Sequence, residues 1–142
     1  MNPDKLFTLA EANALIPQLE LTMERMQRIS IKVREDIEAL TRERGERTGA
    51  ELSMQQLLRV KPSLRARFEE LAQAVQDIEK YGCSFKGLEL GLVDFPAQLG
   101  DEVVELCWQY GEKEIAFYHR REEGFAGRQL LKPQQRKPQY YQ

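Results

Sequence analysis

His119 is the only histidine among 142 residues, and near neutral pH a histidine can move a proton or hold a metal ion. Possible helpers are the acids Asp94, Glu122 and Glu123 and the thiol of Cys107. Zinc and iron centres usually draw three or four ligands, mostly histidines and cysteines. One histidine with carboxylates falls short of that set, so neither a metal nor a cofactor is expected. Asp94 sits between apolar neighbours in Gly91-Leu-Val-Asp-Phe-Pro-Ala97, a strand-like run in which aspartate is disfavoured. A buried carboxylate needs a partner, and arginine is the best one available to a protein. Arg128 follows Gly124-Phe-Ala-Gly127, whose glycines could turn the chain back over a sheet and whose amides could cradle an anion. That loop lacks the lysine and Ser/Thr pair of a P-loop. Asp94, His119, Arg128, Glu122 and Glu123 thus form the candidate functional cluster, with no catalytic role assigned. The competing reading is structural: Asp94 and Arg128 staple the turn, and His119 anchors a sheet edge by hydrogen bonds.

Cys83 and Cys107 stand alone, with no Cys-x-x-Cys, which excludes a zinc ribbon, an iron–sulfur cluster and a multi-disulfide scaffold. Lys and Arg number 21 against 23 Asp and Glu, a net charge of −2. No global basic field exists to recruit nucleic acid or anionic lipid. No apolar run approaches the roughly 20 residues that cross a bilayer. The first residues precede no signal-type apolar stretch, so a cytoplasmic location is expected.

The elements that must position these residues follow from periodicity. Thr8-Leu-Ala-Glu11 is a capping box that starts a helix at Leu9. Pro17 interrupts it, because it offers no amide to the carbonyl of Asn13, and the helix restarts with Pro17 in its first turn. Ile16, Leu19, Met23, Met26, Ser30, Val33, Ile37 and Leu40 then step by three and four, an apolar heptad seam with one polar interruption. A helix over 17–45 would run about 43 Å. Gly45 and Gly49 mark its stop and turn. Leu57, Val60, Leu64, Phe68, Leu71, Val75 and Ile78 form the stripe of a second helical element over 53–81. It is expected to be kinked at Pro62 but continuous, so as to match the seam along its whole length.

After Gly82 the period becomes two, with strands expected at 91–97, 102–110 and 114–119 and turns at Gly100-Asp101 and Gly111-Glu112. Pairing Leu99 with Glu102 sets Phe95 against Leu106 and Asp94 against Cys107. Pairing Tyr110 with Lys113 sets Trp108 against Ile115 and Leu106 against Phe117. In that register Cys107 and His119 face opposite sides, which argues against a Cys–His nucleophile pair. A further edge strand at 84–86 carries only a weak signal.

Phe7-Thr-Leu-Ala-Glu-Ala-Asn-Ala-Leu-Ile-Pro17, Gly91-Leu-Val-Asp-Phe-Pro-Ala97, Leu106-Cys-Trp108, Gly111-Glu112, Ile115, His119 and Gly124-Phe-Ala-Gly-Arg128 together resemble one family. It is an uncharacterised prokaryotic family catalogued as domain of unknown function 2203, and the resemblance spans most of residues 6–131. Tyr118 departs from the pattern, standing where a tryptophan is expected. The resemblance implies a shared fold and brings no activity, cofactor or catalytic residue.

The expectation is therefore an α+β protein, a long antiparallel helical hairpin packed on a small three-stranded antiparallel β-meander. Residues 1–131 would make one domain, with a hairpin arm over 1–82 and the meander over 83–131. A flexible basic tail over 132–142 would follow. The first functional reading is a non-enzymatic cytoplasmic interaction or scaffold protein acting through the hairpin, as a homodimer. Leu21 and Ile31, on the back of the first long helix, suggest that self-association. The alternative is a small enzyme or a metal- or anion-binding protein with its site around Asp94, His119 and Arg128.

Overall fold

The computed structural model describes residues 5–44 and 53–136. These fall into two compact units, one drawn from the chain up to Met23 and from Asp77 onward, the other Glu24–Gln76. The architecture is mixed: a long helix and a five-stranded antiparallel sheet.

Helix α1 (Leu9–Ala14) starts at the capping box, the Thr8 hydroxyl accepting from Glu11 N and the Glu11 carboxylate accepting from Thr8 N. One residue later α2 (Ile16–Arg44) begins, carrying Pro17 in its first turn. Helix α3 (Met54–Val60) opens on a second capping box at Ser53 and Gln56. Helix α4 (Ser63–Glu79) follows.

The expected continuous element over 53–81 is in fact broken. Lys61 leaves the helical region at φ −129°, ψ 83°, where Pro62 forces the preceding residue away from α geometry. In the second unit Val33 and Leu40 of α2, Leu57 of α3 and Leu64 of α4 form a buried cluster, joined by Ile29, Ile37, Leu58, Val60 and Phe68. Asp36 is buried there too, held by Arg67 at 3.3 Å and Lys32 at 3.6 Å. The expected turn at Gly45 and Gly49 lies outside the described residues, as does the end of the tail from residue 137.

In the first unit the strands run in simple order: β1 (Ser84–Gly87), β2 (Leu92–Leu99), β3 (Glu102–Gln109), β4 (Phe117–Arg120) and β5 (Gln129–Leu130). The expectation of three strands is corrected to five, with β1 and β5 added at the two edges. The β2–β3 hairpin keeps the expected register, with Leu99 opposite Glu102, Phe95 opposite Leu106 and Asp94 opposite Cys107. Its two-residue turn has Gly100 at φ 62° and Asp101 at negative φ, the pattern of a type II′ turn. Val93, Phe95, Ala97, Val104, Leu106 and Trp108 share one face and are all buried. The ring of Phe7 meets that of Phe95 edge-on at 5.2 Å, and Phe7 N donates to Pro96 O at 2.7 Å.

The β3–β4 connection departs from expectation. Ile115 leaves the strand and buries its side chain, while its amide donates to Asn13 Oδ1 at 2.8 Å. Trp108 Nε1 donates to Glu112 O at 2.9 Å, and the Glu112 carboxylate accepts from Gln109 N at 2.7 Å. The connection therefore spans more residues than a tight hairpin, and β4 enters one residue later. Leu106 pairs with Tyr118 and Glu105 with His119, instead of Leu106 with Phe117. A one-residue slip turns every β4 side chain over.

Candidate functional site

That slip brings three strands' chemistry to one face. Asp94 on β2 lies directly opposite Cys107 on β3. His119 on β4 lies opposite Glu105, diagonal to Cys107. The expectation that Cys107 and His119 face opposite sides is thus overturned. Asp94 and His119 are separated by a whole strand, yet Nε2 of His119 is 2.9 Å from Oδ2 of Asp94. Both residues are 4% exposed and Cys107 is 1% exposed. A carboxylate oxygen of Asp94, the Cys107 sulfur and a ring nitrogen of His119 all lie within 4.8 Å of one another.

Hydrogen-bond chemistry fixes the imidazole. Nδ1 is 2.8 Å from the carbonyl oxygen of Arg120, which can only accept, so Nδ1 carries a proton. Nε2 faces a carboxylate oxygen, and a contact of this length between them requires a proton or another cation in between. Both ring nitrogens are therefore engaged.

The cluster floors a pocket of about 330 Å³, lined also by Ser84, Lys86, Glu105, Arg121 and Phe125. Glu105 is gripped by Arg121 at 3.0 Å. Burial pushes the Glu105 carboxyl above its usual range, Arg121 opposes this, and Asp94 adds to it. Burial likewise pushes the Cys107 thiol up to about 11, with Asp94 adding and Arg128 opposing. A free thiolate nucleophile is not what this environment favours.

The rest of the expected cluster disperses. Arg128 does not pair with Asp94: its Nη2 donates to both Glu112 oxygens, at 2.7 and 2.8 Å. It also reaches the Cys107 carbonyl at 3.4 Å, and its guanidinium lies 4.1 Å from the Phe117 ring centre and 5.1 Å from that of Phe125. Burial alone would lower Arg128, but the bonds to Glu112 and Cys107 outweigh it and hold it above its ordinary value.

Glu122 and Glu123 are both exposed, and of the two only Glu123 lines the pocket. Gly124 and Gly127 do not take positive φ. Gly127 is needed for closeness, since a Cβ there would fall 2.8 Å from Glu123 Cβ. Cys107 and Glu105 are the site residues that sequence reasoning left out of the cluster. The pairing of Asp94 with Cys107 was available from the β2–β3 register, whereas His119 joined them only through the β4 slip.

The fold and site thus define an α+β protein with a buried Asp–Cys–His group on the outer face of an antiparallel sheet. By its match over residues 5–131, the chain belongs to the family of uncharacterised conserved proteins DUF2203. No curated protein and no solved structure matches it. No helix among the described residues is long and apolar enough to cross a membrane.

Proposed function

We propose that this chain binds a small charged ligand in the pocket on the outer face of its sheet, and that the Asp94–His119 pair is the group the ligand meets. One observation carries the reading: a buried imidazole–carboxylate contact of 2.9 Å forms the floor of an open pocket. Burying two ionisable groups costs free energy that packing alone would not require. Perturbed and buried groups gathered in a cleft mark functional sites more often than chance. Glu112 occupies Arg128, so the earlier site loses its arginine and gains Cys107.

His119 is the only histidine, so one imidazole signal reports the site. Protein labelled with ¹⁵N should show a proton on Nδ1. Titration with divalent cations, and separately with phosphate and acetate, should shift the ring nitrogens for one of these classes at millimolar concentration or below. An imidazole indifferent to all of them would end the reading.

A second reading concerns the helices. Leu21 is 69% exposed and Ile31 50% exposed on α2, which supports a homodimer or scaffold working through a coiled-coil-like hairpin of α2 with α3 and α4. Sedimentation equilibrium at tens of micromolar should give twice the chain mass, reverting to one chain mass in Leu21→Glu/Ile31→Glu. A single chain mass for the wild type would remove it.

A further inference from the structure

We propose that Asp94, Cys107 and His119 hold a divalent transition-metal ion of the zinc class, which takes the place of the proton between Nε2 and Oδ2. This rests on the pocket being a site for a charged ligand, and it names that ligand.

Three independent features point to the ion. The first is ligand spacing. Zinc bonds of about 2.0–2.3 Å set tetrahedral ligand atoms roughly 3.5 Å apart. The three donor atoms, all within 4.8 Å of one another, approach that arrangement before any ion enters. The three strands supply this spacing through backbone register, so no loop has to close to complete it.

The second is the orientation of His119. A metal-bound histidine commonly donates its other ring proton to a backbone carbonyl or carboxylate, which fixes the tautomer and aims the lone pair. Nδ1 of His119 already donates to Arg120 O, leaving Nε2 as the coordinating atom, directed at Asp94 and within reach of Cys107. This arrangement poorly suits a general base, because neither nitrogen is left for a substrate proton. It suits a cation that can bridge nitrogen and oxygen at once.

The third is donor chemistry. Calcium and magnesium take oxygen ligands, and a buried thiol beside an imidazole is foreign to them. Mixed nitrogen, sulfur and oxygen donors suit zinc, cobalt or iron(II). Asp94, Cys107 and His119 are the only such group among the described residues. Three protein ligands leave one tetrahedral position, which faces the pocket and takes water or a ligand oxygen, the arrangement of an open rather than a structural site. Coordination sends the proton shared by His119 and Asp94, and that of the Cys107 thiol, to solvent.

The test uses the full chain stripped by a chelator and then titrated with Co²⁺, a spectroscopic stand-in for Zn²⁺. One equivalent should bind, with a thiolate-to-cobalt absorption that Zn²⁺ displaces and that Cys107→Ser abolishes. His119→Gln and Asp94→Asn should each weaken binding by more than about 100-fold, beyond what loss of a supporting residue costs. Glu122→Gln, at an exposed position outside the pocket lining, should retain the absorption. Trp108 emission checks that each variant is folded. For any variant that is not, the wild-type imidazole signal decides, since Zn²⁺ must shift Nε2 strongly while Nδ1 keeps its proton. The inference falls if wild type binds no stoichiometric Co²⁺ or Zn²⁺ at micromolar concentration. It also falls if binding survives Cys107→Ser and His119→Gln unchanged. If the imidazole answers phosphate or acetate but neither metal, the metal is wrong and the pocket reading stands. If it answers nothing, both fall.

Discussion

Glu112 grips Arg128 through both carboxylate oxygens, at 2.7 and 2.8 Å, across the connection between β3 and β4. The same carboxylate accepts from Gln109 N, and the Glu112 carbonyl accepts from the Trp108 indole. Arg128 in turn lies against the rings of Phe117 and Phe125. One residue pair thus ties the end of β3, the start of β4 and the short helical turn at Phe125–Gly127. It fixes the late entry of β4 that turns His119 towards Asp94.

Removing either partner should therefore cost stability. Side chains 14% and 23% exposed are shielded enough for the pair to matter. Arg128→Gln and Glu112→Gln should each lower unfolding free energy by about 2 kcal/mol, and the double variant should lose less than both together by about 1 kcal/mol or more. Urea titrations of the four proteins measure this. Strict additivity would mean that the two residues act separately.

Asn13 makes the second tie on the same connection. Its Oδ1 accepts from Ile115 N at 2.8 Å, while the Ile115 side chain is buried. Asn13→Ala leaves that amide without its acceptor, at a cost of about 1–3 kcal/mol. Asn13→Asp keeps an acceptor and should recover most of the loss in thermal melts. Equal losses in the two variants would show that the hydrogen bond is not the cause.

Trp108 is the only tryptophan and is fully buried on the inner face of the sheet. Its emission should be blue-shifted and poorly quenched by acrylamide. Trp108→Ala should cost about 3–5 kcal/mol, the range for deleting a large buried aromatic. Trp108→Phe should cost less, losing mainly the hydrogen bond to Glu112 O. Ready quenching in the native state would contradict this burial.

These residues also explain what was legible in the sequence. The β2–β3 hairpin is local: Gly100-Asp101 sets the turn, and alternation leaves one register that gathers Val93, Phe95, Val104, Leu106 and Trp108 on the buried face. The start of α1 was legible because its capping box, Thr8 with Glu11, is local too. The β4 register was not, because Asn13 and Arg128 set it from distant parts of the chain. Ile115 continues an apolar alternation yet spends it on the core outside the strand. Asp36 shows no local sign of burial in the sequence, yet it is buried, with Arg67, thirty-one residues away, coming to meet it. The site depended on the illegible part, since only the slipped register sets His119 beside Asp94 and Cys107.

Cys83 gives the molecule a sensitivity to alkaline pH. Its sulfur donates to Ile78 O at 3.3 Å, and the residue is buried. Burial pushes its thiol from an ordinary value of 9.0 up to about 12, with Glu79 adding to the rise and a backbone hydrogen bond opposing it. Below pH 9 the thiol is protonated in both the folded and the unfolded chain, so its full contribution is present. Between about pH 9 and pH 12 the unfolded chain gives up the proton first, and by linkage stability falls as pH rises. Cys83→Ala should therefore lose stability less steeply than wild type when both are melted from pH 7 to pH 10.5, whatever constant offset the smaller side chain introduces. Native protein at pH 8 should also leave Cys83 unlabelled by a thiol reagent, with full labelling only in urea. Parallel stability profiles for the two proteins, or rapid labelling of Cys83 in the native state, would refute the assignment.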